Sequence, residues 1–166
     1  AIRKIFLDIK NIKNYTFIVS GSGAIAKTVI LALTEMNAKK IFIKGRNKKK
    51  TNELVEEFAC NEYRLNINKK NNPIFLINCT PIGMVGKNFK KLPFSNDLIE
   101  QSSVVMDLVN HPINTAFINF ANKYKKKLIR GNLISLYQIQ SQFEIYTNKK
   151  LKLSKLISIF KKLGKI

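Results

Sequence analysis

The amino-acid sequence predicts an α/β fold in which a doubly wound, mostly parallel sheet carries helices on both faces. Short apolar, β-branched runs alternate with helical patterns along the chain, and a glycine turn separates the first run from the first helix. No internal repeat or low-complexity linker interrupts this order. A chain of 166 residues with 45% hydrophobic content is long enough for one compact domain with its own core.

The predicted strands are short runs rich in apolar and β-branched residues, and Tyr15 to Val19 is the strongest of them. Five further strands are predicted at 40–44, 62–67, 73–78, 103–108 and 127–130. Short apolar strands that alternate with helices of roughly ten to fifteen residues are typical of a parallel sheet that is covered on both faces.

Helical patterns occupy the intervals between these strands. Helices are predicted at 24–36 and 48–59, and two more follow Gly131, at 133–146 and 151–163. The last pattern places its leucine, isoleucine and phenylalanine residues on one stripe, as in an amphipathic helix. This stripe needs a partner, either the sheet of this chain or a second domain.

A net charge of +20 raises the question of an anionic partner. Such a basic balance is typical of proteins that bind nucleic acids. Here, however, lysine supplies 26 of the 30 basic residues, and the clusters at 48–50 and 125–127 have no interleaved aromatic side chains on which bases could stack. The composition disfavours a nucleic-acid partner, and a basic nucleic-acid-binding protein is kept only as an alternative.

The sequence also argues against a membrane protein and a metal site. It has no run of 18 apolar residues, and residues 1–10 lack the order of a signal peptide. Cys60 and Cys79 are far apart, and the chain has a single histidine, so no metal site is expected. We therefore expect a soluble, cytoplasmic protein whose cysteines are core thiols.

A glycine motif follows the first predicted strand, where Gly21, Ser22, Gly23, Ala24 and Ala26 fit the pattern GxGxx(G/A). The first glycine permits a tight turn, and the second lets the backbone approach a pyrophosphate. The small last residue allows close helix–strand packing, and the helix N-terminus attracts the anion. The motif predicts the dinucleotide-binding turn of a Rossmann-like domain, with an ordinary two-glycine turn as the alternative.

The end of the second strand indicates which dinucleotide fits. An NAD site places an acidic side chain there to accept a hydrogen bond from the ribose 2′-hydroxyl, whereas this chain has Arg46 between Gly45 and Asn47. A guanidinium binds a 2′-phosphate through a planar fork of donors. The sequence therefore predicts NADP(H), with a solvated loop cation as the alternative role for Arg46.

Several separate segments resemble the C-terminal, nucleotide-binding domain of the shikimate dehydrogenases. They are GSGAIAKT at 21–28, Arg46 in GRN, NCTPIGM at 78–84, VMDLVNHPINT at 105–115, and the segment 131–146. The resemblance covers nearly the entire chain, and NCTPIGM is its most specific part. The chain departs from the family where Ala24 replaces a glycine, Gly45 and Asn47 flank Arg46 in place of asparagine and threonine, Asn110 replaces a tyrosine, and Ile134 replaces a methionine.

This resemblance implies the residues that contact the ligands. For NADP(H) they are Gly21, Ser22, Gly23, Ala24, Arg46, Asn47, Thr80, Pro81, Met84, Leu108 and Gly131. For the substrate they are Asn110 and Gln138. His111 is expected to be only a loop residue.

The family reduces 3-dehydroshikimate to shikimate with NADPH, in chorismate and aromatic amino-acid biosynthesis. Its lysine–aspartate pair, which handles the carbonyl proton, belongs to an N-terminal substrate domain, so the resemblance places no catalytic residue in this chain. We expect residues 1–14 to be a helix or linker from that missing domain, 15–150 to be the NADP-binding domain, and 151–166 to be a C-terminal amphipathic helix. This chain alone is expected to be inactive.

A fragment of a larger enzyme, one domain of a multifunctional polypeptide and a decayed chain all fit this expectation. The leading hypothesis is that the chain is the NADP-binding portion of a shikimate dehydrogenase. Its expected partners are 3-dehydroshikimate or shikimate and the missing substrate domain, and a homodimer is possible. The alternative is a catalytically inactive nucleotide-binding module. An enzyme that prefers NAD and acts on quinate would need an acidic residue near Arg46, and none is close.

Overall fold

Six parallel strands form the centre of the computed structural model, which describes residues 1–64 and 72–163. They are β1 (Thr16–Ser20), β2 (Lys40–Lys44), β3 (Asn61–Glu62), β4 (Ile74–Asn78), β5 (Val104–Asp107) and β6 (Lys127–Ile129). The strand order is β3-β2-β1-β4-β5-β6, and each neighbouring pair is parallel. The order reverses between β1 and β4, and doubly wound sheets bind ligands at this switch point.

Helices connect the strands, because parallel neighbours require a crossover. The described residues form α1 (Ile2–Leu7), α2 (Ala24–Glu35), α3 (Lys48–Phe58), α4 (Asn96–Gln101), α5 (Ala116–Lys123), α6 (Gly131–Thr147) and α7 (Leu153–Lys162). A short 3-10 turn at Ile12–Asn14 leads from α1 into β1.

Helices α1, α2, α3 and α6 cover one face of the sheet. Phe6 of α1 is fully buried there, and its ring centroid lies 6.4 Å from that of Phe17 in β1 and 6.2 Å from that of Phe75 in β4. Large aromatic side chains dominate the energetics of a core. The N-terminal helix is therefore part of the packing of this sheet.

Helices α4 and α5 cover the opposite face. Ile18 of β1, Leu76 of β4 and Val105 of β5 point to this side, where Phe94 and Phe117 pack with their ring centroids 5.4 Å apart. Both faces of the sheet are thus buried under helices. The predicted fold, a doubly wound parallel sheet with helices on both faces, is confirmed.

The structure differs from the sequence prediction at several elements. Helices α4 and α5 were not predicted, because each is short and is preceded by an irregular segment. Strand β3 ends at Glu62, earlier than the predicted 62–67, and residues 65–71 lie outside the described residues. Helix α6 begins two residues before the predicted start, at Gly131.

The apolar stripe of α7 packs against α6 through Leu156, which is buried. The link between the helices is fixed by Gln140, whose Nε2 donates to the carbonyl oxygen of Leu151 at 2.6 Å. Ile159 and Leu163 remain 43% and 63% exposed. Among the helices of the described residues, none has both the length and the apolar character needed to cross a membrane.

We expect Phe6→Ala to lower the free energy of unfolding by about 3–5 kcal/mol, because it empties a fully buried site between two strands. Leu7 lies on the same helix and is 66% exposed, so Leu7→Ala should change that free energy by no more than about 0.5 kcal/mol. Urea denaturation followed by circular dichroism measures both. Equal losses in the two variants would show that α1 is not packed as described.

Candidate functional site

The turn between β1 and α2 is built around Gly21, whose φ of 120° is a conformation that favours glycine. Its N–H donates to the carbonyl oxygen of Lys44 at 2.9 Å. A Cβ at this position would lie 3.2 Å from the backbone carbonyl group of Cys79. The turn is therefore held tightly between the carboxyl ends of β2 and β4, and a larger residue would disturb both.

The N-terminus of α2 faces open space. Gly23 is its N-cap residue, and in the described part of the chain no side chain caps the helix. Apart from its chain neighbours, no described heavy atom lies within 4 Å of the position that a Cβ of Gly23 would take. The first N–H groups of a helix lack partners within it, and they carry the positive end of the helix dipole. This end of α2 is therefore suited to bind an anion.

The segment after β2 combines a steric constraint with a helix cap. Asn47 caps α3, since its side-chain oxygen accepts from Lys50 N at 3.0 Å. The buried Thr51 donates its hydroxyl to the carbonyl oxygen of Asn47 at 2.8 Å, and a Cβ at Gly45 would overlap that hydroxyl. Asn47 therefore stabilises the start of α3, and it also lines the cavity described next.

A cavity of about 530 Å³ opens at the carboxyl ends of β1, β2 and β4. Lys44, Arg46 and Lys50 give it three cationic side chains, and none of its lining residues in the described part of the chain is acidic. The cavity is therefore suited to an anionic ligand. The other lining residues are Ser20, Gly21, Ser22, Gly23, Gly45, Asn47, Cys79, Thr80, Pro81, Ile82, Leu92 and Pro93.

A buried hydrogen-bond network joins the ends of β4 and β5, where Asn78 and Asp107 stand opposite each other. Asn78 Nδ2 donates to Asp107 Oδ1 at 3.0 Å, and Val109 N donates to the same oxygen at 3.1 Å. Thr115 Oγ1 donates to Asp107 Oδ2 at 2.6 Å. All three side chains are buried, so one carboxylate fixes the loops that follow both strands.

The loop after β4 is shaped by Thr80. Its hydroxyl donates to Asn78 Oδ1 at 2.7 Å and accepts from Ile82 N at 3.2 Å. Asn78 Nδ2 in turn donates to the carbonyl oxygen of Ile82 at 3.0 Å. The chain then turns at Gly83, whose φ is 98° and which lies against the side chain of Thr115. Thr80 and Pro81 therefore stand on the cavity wall in a loop that is internally hydrogen bonded.

The ionisable groups here are strongly affected by burial. Desolvation raises the pKa of Asp107 above its ordinary value of 3.8, although the hydrogen bonds from Thr115, Val109 and Asn78 act in the opposite direction. Burial and the neighbouring Asp107 raise the pKa of the Cys79 thiol, so Cys79 is not a nucleophilic thiolate. Across residues 1–64 and 72–163, no three His, Cys, Asp or Glu side chains come together in a way that could hold a metal ion.

The structure brings together only part of the predicted set. Ala24 lies in a neighbouring cavity of about 210 Å³ beside Gly23. Met84 is 48% exposed in the loop after β4, and Leu108 follows β5 and is half-buried. A Cβ at Gly131 would overlap the carbonyl oxygen of Val109, so this glycine is explained by the close approach of α6 to the chain after β5.

The two predicted substrate residues, Asn110 and Gln138, are not among the residues that line the cavity. Asn110 is exposed three residues after β5, and Gln138 is exposed in the third turn of α6. Their side chains are therefore open to contact with another molecule. His111 is also exposed.

Sequence reasoning missed Lys44, Lys50 and the wall formed by Leu92 and Pro93. Lys50 could have been found, because it lies in the first turn of a predicted helix that begins two residues after Arg46. The position of Leu92 and Pro93 could not have been predicted, because a long irregular segment separates them in sequence from β4, and they approach the end of β2.

The strand order, glycine turn and basic strand end define a Rossmann-like domain of the doubly wound class. The family model for shikimate / quinate 5-dehydrogenase matches residues 3–74. A shikimate dehydrogenase-like protein of Haemophilus influenzae is 34% identical over 139 residues, which cover 83% of this chain and 51% of that protein. The shikimate dehydrogenase (NADP(+)) of Saccharolobus solfataricus is 31% identical over 152 residues, or 90% of this chain and 54% of that protein.

Solved structures agree with these sequence matches. A shikimate 5-dehydrogenase-like protein superposes with a TM-score of 0.84 at 30% identity, over 95% of this chain and 59% of that chain. A chorismate mutase/shikimate 5-dehydrogenase fusion protein from Clostridium acetobutylicum gives a TM-score of 0.80 at 28% identity, over 98% and 58% of the two chains. The chain is therefore similar in sequence and fold to shikimate dehydrogenases, and it spans about half the length of the curated relatives that it matches.

Asp107 should make the stability of the protein depend on pH. Because its pKa is raised on folding, the native state binds this proton more tightly than the unfolded state. The free energy of unfolding should therefore fall as the pH rises from about 4, the unfolded pKa, through the higher folded pKa. Asp107→Asn cannot titrate at this position. Urea denaturation of the wild type and this variant between pH 4 and pH 8 therefore measures the contribution of Asp107 as the difference between their free energies of unfolding.

That difference should shrink with rising pH and then become constant. A difference that grows with pH would mean that the hydrogen bonds stabilise the carboxylate more than burial destabilises it. Thr115→Val is a useful second variant, because it removes the 2.6 Å donor and should raise the folded pKa of Asp107 further.

Proposed function

We propose that this chain is the NADP(H)-binding portion of a shikimate dehydrogenase, an oxidoreductase that reduces 3-dehydroshikimate to shikimate. The observation that carries the proposal is the cavity at the switch point of the sheet, with a glycine turn on one side and three cationic side chains on the other. The names of its relatives support the same cofactor and reaction, since several are shikimate dehydrogenases of the NADP(+) type.

The pyrophosphate of the cofactor would bind at Gly23 and the N-terminus of α2. The open space at the Cβ position of Gly23 supports this, because a side chain there would occupy the route by which a ligand approaches the backbone. Arg46 and Lys50 would hold the 2′-phosphate, Arg46 through its planar fork and Lys50 as a point charge. Bound NADPH supplies the hydride.

The nicotinamide would lie toward β5, beside Thr80, Pro81, Met84, Leu108 and Gly131. The network around Asp107 supports this placement, because it fixes the two loops that carry most of these residues. Asn110 and Gln138 are both exposed and would contact the substrate from this half of the enzyme. The asparagine at 110 cannot supply the aromatic surface of the family's tyrosine, so its contribution would be a hydrogen bond.

The proton chemistry would come from a separate substrate domain. A general acid contributes roughly 10²–10⁴-fold to such a reaction and must lie within hydrogen-bond reach of the reacting oxygen. The loop after β4 exposes Met84, Val85 and Phe89, by 48%, 65% and 43%. This apolar edge beside the cavity is where we expect the second domain to contact the chain.

Arg46→Ala should weaken NADP⁺ binding by about 10- to 100-fold, because it removes a charge-assisted, bidentate partner of the 2′-phosphate. Binding of NAD⁺, which lacks this phosphate, should change by less than about twofold. Isothermal titration calorimetry of the wild type and the variant with both dinucleotides measures the effect.

Lys49→Ala is the matched control, because Lys49 is an exposed cation three residues after Arg46, in the first turn of α3, and is not among the residues that line the cavity. It removes one positive charge and should leave the NADP⁺/NAD⁺ ratio unchanged. If Lys49→Ala and Arg46→Ala lose equal affinity for NADP⁺, the effect of Arg46 is only that of the overall positive charge of the protein. Absence of binding of either dinucleotide to the wild type would refute the proposed cofactor site.

A chimera should separate the enzyme from an inactive nucleotide-binding module. The chain would replace the matching part of the Saccharolobus solfataricus enzyme, so that the substrate domain of that enzyme provides the acid–base groups. We expect NADPH-dependent reduction of 3-dehydroshikimate by the chimera and no turnover by the isolated chain. A chimera that folds and binds NADP⁺ but has no activity would favour the inactive module, and turnover by the isolated chain would show that it holds its own acid–base groups.

A further inference from the structure

Lys44 joins two walls of the cavity. It is the last residue of β2, and its carbonyl oxygen accepts from Gly21 N, so its backbone supports the glycine turn. Its side chain extends across to the opposite wall, where Nζ donates to the carbonyl oxygen of Pro93 at 2.8 Å. One residue therefore contacts both the phosphate-binding side and the wall formed by Leu92 and Pro93.

The ammonium group is fixed by more than this hydrogen bond. Nζ lies 5.5 Å from the ring centroid of Phe94, which is 3% exposed and packs against Phe117. A cation over an aromatic face gains free energy when both are partly removed from water. Burial also lowers the pKa of Lys44 from its ordinary value, in agreement with its partial enclosure.

The described part of the chain shows few hydrogen bonds between the segment held by Lys44 and the sheet. Residues 84–93 are irregular, and their described backbone hydrogen bonds are local ones, such as Phe89 N to Gly86 O at 3.1 Å and Lys91 N to Asn88 O at 3.1 Å. Among the described residues, the bond from Lys44 is the hydrogen bond that joins this segment to a strand. Leu92 and Phe94 pack in the apolar cluster on this face of the sheet, and the bond from Lys44 fixes Pro93 between them.

We propose that Lys44 is a positioning residue that fixes the apolar wall for the adenosine part of the dinucleotide. The inference rests on the proposed function. The pyrophosphate is assigned to the glycine turn and the 2′-phosphate to Arg46, so the adenosine lies at the end of β2. Ile82, Leu92 and Pro93 form the apolar lining there. Arg46 would then determine the preference for NADP⁺ over NAD⁺, and Lys44 would raise the affinity for both dinucleotides.

The first test is calorimetric titration of the full chain with NADP⁺ and NAD⁺. Lys44→Met keeps most of the aliphatic stem but loses the donor and the charge. We expect it to weaken both dinucleotides by roughly tenfold, the usual effect of losing one hydrogen bond to a charged group, with their ratio unchanged. Lys44→Arg keeps a cation and donors and should restore most of the affinity.

Lys40→Met is the matched control, because Lys40 lies at the opposite end of β2 and its Nζ also makes one side-chain bond, to Asn72 Oδ1 at 3.0 Å. It should leave both affinities unchanged. A loss confined to NADP⁺ in Lys44→Met would make Lys44 a phosphate ligand and overturn the positioning role. Unchanged affinity for both dinucleotides would overturn it as well.

Hydrogen–deuterium exchange of the unliganded protein tests the positioning step without any dinucleotide. Lys44→Met should raise exchange across residues 83–94 relative to the wild type and Lys40→Met, while exchange in β1 and β4 stays the same. Raised exchange together with a wild type that binds neither dinucleotide would refute the proposed function and leave the hold of Lys44 on this segment intact. Unchanged exchange would refute that hold whatever the binding results.

Discussion

The buried carboxylate of Asp107 is the constraint on which the site depends. The parallel register of β4 and β5 places Asn78 directly beside it, and the two side chains share their hydrogen bonds with the loops that follow. A buried carboxylate is costly unless its oxygens are satisfied, and here Asn78, Val109 and Thr115 satisfy them. The same bonds that offset this cost shape the ligand-facing loops, so the stability of the core and the geometry of the site cannot be altered separately.

Local patterns in the sequence were enough to predict the fold and one side of the cavity. The glycine motif, the apolar runs and Arg46 depend on neighbours within a few residues, and the sheet places them as expected. Contacts between distant parts of the chain were not predictable in this way. Lys44 meets Pro93 across the cavity. This constraint exists only once the chain has folded.

The charge composition affects the cavity as well as the surface. Thirty basic residues face ten acidic ones, so most cations have no acidic partner available. The four ion pairs in the described part of the chain join largely exposed side chains, and such pairs contribute about 0–1 kcal/mol each. The fold therefore relies on its two apolar faces. Among the described residues the four ion pairs include neither Arg46 nor Lys50, which favours an anionic ligand in the cavity that both line.

The overlap between Gly45 and Thr51 has a consequence for how this chain can change over evolutionary time. Shikimate dehydrogenases have asparagine at the place of Gly45, but any side chain there would displace the buried Thr51 hydroxyl from the first turn of α3. Rotation of the Thr51 side chain away from such a residue would break the hydrogen bond from its hydroxyl to the carbonyl oxygen of Asn47, so a side chain at 45 is accommodated more easily when position 51 is made smaller first. Substitutions at 45 and 51 are therefore coupled, and a change at 45 alone is the more costly first step between the two forms of the loop.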